Sequence, residues 1–139
     1  MTQYWFTSSL FEIEPGEDEE INPGIYGRQF ANWLAKKLES KGYEIDLIEE
    51  DWGRCLMCIE KLPFRLWVGC ANVSDYASNG EPTVPSKEQI VWTCFPVAEV
   101  PFLKRLFNRP DTAPALQKLD GVLREILESE PAIQMTTEP

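Results

Sequence analysis

Along the chain the spacing of apolar positions changes several times, and the changes mark the elements. Tyr4 to Glu14 is rich in aromatic and β-branched residues and predicts a first strand, ended by Pro15-Gly16. Tyr26, Phe30, Trp33, Leu34 and Leu38 then recur at three- and four-residue spacing, which predicts a helix with one apolar face. Asn22 is placed to cap it, Pro23 falls in the first turn where a missing N–H does no harm, and Gly42 is the expected stop. Period two returns over Tyr43 to Glu50, where Tyr43, Ile45 and Leu47 alternate with Glu44 and Asp46. Trp52-Gly53 predicts a turn. Strands are expected over Arg54 to Lys61, Phe64 to Val73 and Gln89 to Val97, with the long polar segment Ser74 to Glu88 joining the last two. Phe102 to Phe107 predicts a helical turn, and Leu116, Leu119, Leu123 and Ile126 predict a second long helix that ends at Pro131.

The order β-α-β-β-β-β-α predicts an α+β fold: one two-layer domain over residues 1–130 and a disordered tail over 131–139. About five mostly antiparallel strands and two main helices are expected. A helix between two strands of one sheet implies a parallel first crossover. That pairing, followed by a meander, brings the exits of the first two strands, the start of the first helix and the loop Ser74 to Glu88 to one end. Glu17, Asp18, Arg28, Glu49, Asp51, Trp52 and Tyr76 would meet there.

Charge sets the chemistry of that end. With 13 basic and 23 acidic residues, the net charge of −10 repels nucleic acid phosphates and anionic membranes and favours basic proteins or cations. Cys55, Cys58, Cys70 and Cys94 all fall in apolar strand-like stretches, where a thiol behaves as a small hydrophobe in a reducing compartment. Cys55 and Cys58 form a C-x-x-C, but three residues along a strand point the sulfurs to opposite faces. No zinc site is therefore expected. The chain has no histidine, so imidazole catalysis and imidazole metal ligation are excluded. No apolar run reaches membrane-spanning length, and no cationic segment precedes an apolar one at the N-terminus. A cytoplasmic protein is expected.

The convergent residues admit two roles. Arg28 and Arg54 could pair with Asp51 and Glu49 and hold a loop-helix junction together. Alternatively the same end is a recognition surface, with Trp52 and Tyr76 as amphipathic anchors among acids.

Pro15-Gly16-Glu17-Asp18, Asn22-Pro23-Gly24, Gly27-Arg28, Trp33-Leu34-Ala35, Glu50-Asp51-Trp52-Gly53 and Leu66-Trp67-Val68-Gly69-Cys70 together resemble a group of small uncharacterised bacterial proteins. The resemblance covers roughly residues 4–73 and departs at Arg54, where the group often has a second aromatic. It implies a bacterial, cytoplasmic, single-domain protein. No activity attaches to the group, so no catalytic residue, metal ligand or cofactor is carried over.

Two functions follow as expectations. One is a non-catalytic module that docks a basic protein through the loop end around Trp52, as small acidic immunity or antitoxin proteins do. The other is a metal-assisted hydrolase using Glu17, Asp18, Glu49 and Asp51 as oxygen donors. The long C-terminal helix leaves a monomer or a weak dimer open.

Overall fold

The structure is a computed structural model that describes residues 2–17, 25–73 and 86–139. Its strands are β1 (Tyr4–Ser8), β2 (Ile45–Glu50), β3 (Gly53–Cys58), β4 (Arg65–Asn72), β5 (Trp92–Glu99) and β6 (Ile133–Thr136). Its helices are α1 (Arg28–Ser40), the short α2 (Phe102–Phe107) and α3 (Ala113–Ser129), with a 3-10 turn at Lys87–Gln89.

All six strands form one antiparallel sheet in the order β2-β3-β4-β5-β1-β6. The expected meander is present from β2 to β5. The parallel crossover is not, because β1 lies between β5 and β6, with three strands between it and β2. A strand needs an edge whose hydrogen-bonding groups are still free. β5 offers one, and β1 docks on it with Tyr4 opposite Cys94 and Phe6 opposite Trp92. Since pairing alternates across the sheet, β1 and β2 still run in the same direction, and their exits share one end.

The sixth strand comes from the segment expected as a disordered tail. Ile133 to Thr136 pairs with β1, Ile133 opposite Ser8 and Thr136 opposite Trp5. The Ser8 hydroxyl donates to the Ala132 carbonyl over 2.9 Å and fixes the turn into β6. Tail positions 133–136 look weak in sequence because only one edge of β6 is paired and Gln134, Met135 and Thr136 stay exposed. The first strand is also shorter than Tyr4 to Glu14, ending at Ser8.

The core lies between the sheet and the two long helices. α1 packs over β2 and β3, α3 over β5 and β6, and the two helices touch. Phe30, Ala31, Leu34, Ala35 and Leu38 are the buried face of α1; Leu119, Leu123, Ile126 and Leu127 are that of α3. The α3 stripe is thus consumed by the core and is not presented as a dimer seam. Trp92, with no exposed surface, is at the centre, its ring 5.6 Å from Phe30, 5.9 Å from Phe11 and 6.2 Å from Tyr26. α1 begins at Arg28, after Gly27; the expected cap Asn22 and its neighbours Pro23 and Gly24 lie outside the described residues. Gly42, at φ 97°, ends the helix as its sequence position suggests. Among the described residues no helix is long and apolar enough to cross a membrane.

Candidate functional site

Strand alternation sorts the predicted site residues onto opposite faces of the sheet. On β3, Arg54, Leu56 and Cys58 share one side chain direction, and Leu56 is fully buried in the core. Arg54 therefore points into the helical layer. Its cross-strand neighbours are Glu49 on β2 and Cys70 on β4. A guanidinium at a core position is costly without partners, and only 1% of this side chain is exposed.

Its counter-charge arrives from the loop after β1. Glu17, with no exposed side-chain surface, places Oε1 3.7 Å from Arg54 Nη2. The same Oε1 accepts the backbone N–H groups of Gly27 (2.6 Å) and Arg28, and Oε2 accepts the N–H of Glu14 (2.8 Å). Glu17 thus acts as a remote cap: its carboxylate sits on the donors at the start of α1, where the helix dipole favours negative charge. Gly27 permits this approach. At φ 129° it adopts a conformation that side chains rarely reach, and a Cβ there would stand 3.1 Å from Cζ3 of Trp92.

Arg54 is bound far less completely than Glu17. Nε, Nη1 and Nη2 are all buried, and among the described residues none has a hydrogen-bond acceptor. The pair is held by Coulomb attraction at 3.7 Å away from bulk solvent, while the carboxylate carries the hydrogen bonds among the described residues. Next to it, Asn72 accepts the Tyr26 N–H through Oδ1 over 3.1 Å, so the chain entering α1 is tied to β4 as well. Arg28 turns outward and donates to Glu14 Oε1 at 3.1 Å.

The other expected residues belong to the end of β2 and the turn after it. Glu49, one residue before the end of β2, is the exposed cross-strand neighbour of Arg54; Asp51 and Trp52 form the turn into β3. Trp52 folds over the opposite face of the sheet, where its ring is 5.9 Å from Trp67 and 6.0 Å from Phe95, with Trp67 and Phe95 6.1 Å apart. Asp18 and Tyr76 lie outside the described residues. The sheet therefore separates Glu17 and Arg54 from Trp52, although all three belong to the same end.

Trp67 and Phe95 are members of this aromatic face that sequence reasoning did not select. The signal was present in the alternation: Leu66, Val68 and Cys70 take the core face of β4, which leaves Trp67 on the other. Register then aligns Asp46, Met57, Trp67 and Val97 in one row, and Ile48, Cys55, Gly69 and Phe95 in the next. Gly69 is the seat for Phe95, since a Cβ there would stand 2.4 Å from the Phe95 ring. Trp67 Nε1 donates to Glu99 Oε1 over 2.7 Å. Asp46, Glu50 and Glu99 belong to the same face of the sheet, with Arg65 opposite Glu99.

Among the described residues no three His, Cys, Asp or Glu side chains come together as a cation site. Glu17, one of the four acids expected to hold a metal, has its oxygens committed to three N–H groups and Arg54. Cys55 and Cys58 occupy opposite faces of β3, and burial pushes their thiols up to about 11 and about 12. Cys70 and Cys94 are raised by the same cause, so all four are neutral thiols near pH 7.

Comparison of the chain with protein-family models, curated proteins and solved structures finds no match.

Proposed function

We propose that this protein is a non-catalytic docking module whose ligand is a basic protein surface. The observation that supports this most directly is the grouping of Trp52, Trp67 and Phe95 on the sheet face away from α1 and α3, a face that also carries Asp46, Glu50 and Glu99. Aromatic rings supply large contact area with few rotatable bonds, and Trp52 is still 38% exposed. The acids steer a cationic partner and fix its orientation. On the other side of the same turn, Glu17 and Arg54 lock the start of α1 to β3, giving the Trp52 turn a rigid base.

Capture from cell lysate on immobilised wild-type, Trp52→Ala and Asp51→Lys chains tests the reading. A basic protein should be retained by the wild type, lost with Trp52→Ala, and released at lower salt from Asp51→Lys. Equal retention of every bound protein by wild type and Trp52→Ala would sink it.

A further inference from the structure

Nine consecutive residues, Pro101 to Arg109, are exposed, and they include Phe102, Leu103, Leu106 and Phe107 at 64, 68, 60 and 83%. Four of the nine large hydrophobic side chains exposed among the described residues thus belong to the six-residue α2. Scattered exposed apolar residues need no explanation, but a contiguous group of this kind marks a contact surface. The helix spacing puts Phe102, Leu103, Leu106 and Phe107 on one side. The accompanying charges are all positive: Lys104, Arg105 and Arg109 lie within the segment, and no acid occurs between Glu99 and Asp111. Arg105 sits over the Phe102 ring at 5.7 Å, and Lys104 Nζ donates to the Pro63 carbonyl over 3.0 Å, which tethers the helix to the β3-β4 connection.

In a chain of net charge −10, this basic apolar helix is complementary to the chain's own aromatic face, where Asp46, Glu50 and Glu99 outnumber Arg65. The two surfaces are also continuous. At the foot of α2, Ile48, Met57, Ile59, Leu62, Pro63 and Pro101 form the apolar part of a groove of about 540 Å³ whose charged lining is Glu60, Arg65 and Lys104. Met57 pairs across strands with Trp67, so the groove runs directly into the aromatic rows. Because helix and receiving face are neighbours on one molecule, a two-fold axis can satisfy both at once, each copy giving its α2 and receiving the other's.

We infer that α2 is a homodimerisation element: the Phe102–Phe107 helix of one copy lies in the groove and on the Trp52–Trp67–Phe95 face of a second copy, and the reverse. With two Phe and two Leu contributing on the order of 500 Å² per helix, two reciprocal contacts bury on the order of 2,000 Å² in total, above the roughly 1,000 Å² expected of a specific interface. An anionic membrane is the other surface that takes a short basic apolar helix, but the net charge of the molecule opposes that approach. The inference shares with the functional reading only the premise that the aromatic face is a docking surface. In the dimer that face is covered, so a basic partner would have to compete with α2.

Sedimentation velocity across a concentration series measures the dimer directly. Wild type should show a reversible monomer-dimer equilibrium. Phe107→Glu and Leu106→Asp, both at exposed positions, should weaken dimerisation by about tenfold or more, as should Trp52→Ala on the receiving face. Mixing the Phe107→Glu chain with the Trp52→Ala chain should recover heterodimer, because one of the two reciprocal contacts is then intact. Four outcomes would overturn the inference: a wild-type monomer at every concentration, a dimer indifferent to the α2 substitutions, no recovery on mixing, or α2-dependent flotation with phosphatidylserine-containing vesicles by a chain that stays monomeric. Loss of the dimer with lysate capture unchanged would leave the functional reading standing. The reverse pattern would leave the dimer standing.

Discussion

Removing the Glu17 carboxylate should destabilise the protein far more than removing the Arg54 guanidinium, although the two form one buried pair. Glu17→Ala strips the acceptor from three backbone N–H groups, those of Gly27, Arg28 and Glu14, and leaves Arg54 buried without the carboxylate that pairs with it. Breaking a buried pair from one side costs about 3–5 kcal/mol, and the lost cap at the start of α1 adds about 1 kcal/mol. Arg54→Met leaves Glu17 with all three N–H groups and the positive end of α1, and it removes five N–H donors that have no acceptor among the described residues. We expect about 1–2 kcal/mol for that change, less than for the loss of Glu17, because the carboxylate left behind keeps three N–H donors and the helix dipole as compensation. The double variant Glu17→Gln/Arg54→Met should be more stable than Glu17→Gln alone, because it no longer buries an unpaired cation. Urea unfolding with linear extrapolation and unchanged m-values gives all four free energies. The reasoning is refuted if Arg54→Met is the more damaging single change, or if the double variant is the simple sum of its parts.

Three further outcomes follow from the geometry. Gly27→Ala should cost about 1–3 kcal/mol and alter the near-UV circular dichroism of Trp92, since the new methyl stands 3.1 Å from that ring at φ 129°; an unchanged melting temperature would contradict this. Gly69→Ala should displace Phe95 and change tryptophan emission from Trp52 and Trp67 while leaving the helical layer intact, because the clash is confined to the outer face. Stability should be level through neutral pH and fall above about pH 9: burial raises the folded-state thiols of Cys55 and Cys58 from 9.0 to about 11 and about 12, so the stabilisation is fully present below the unfolded-state value and is lost as pH rises toward the folded-state ones. A melting temperature flat from pH 8 to pH 11 would contradict that assignment.

Much of the fold was legible from periodicity alone. The α1 stripe from Phe30 to Leu38, the α3 stripe from Leu119 to Ile126 and the alternation over β2 to β5 each concern neighbours in sequence, and local geometry converts such spacings directly into faces. The candidate site was legible only in part. Glu17 and Arg28 were singled out and do meet at the start of α1, but Glu17 is joined there by Arg54 rather than by Asp51 and Trp52. Arg54 occupies a core position by strict alternation with Leu56 and Cys58, which a reading centred on its charge overlooks.

What the sequence determined by itself is the set of amphipathic pieces, because local spacing fixes faces; the shared end at which β1 and β2 finish follows from the antiparallel pairing of β1 with β5. What only the tertiary structure decided is who stands beside whom. Whether β1 pairs with β2 or β5, and whether Ile133 to Thr136 is a tail or a sixth strand, depends on which sheet edges remain unpaired once the meander has formed. That is a competition among non-local hydrogen-bonding partners, and no local pattern encodes its outcome. The same is true of the two faces at the Trp52 turn: the sheet put a buried ion pair on one side and three aromatic rings on the other, and only the register brought Trp67 and Phe95 under Trp52.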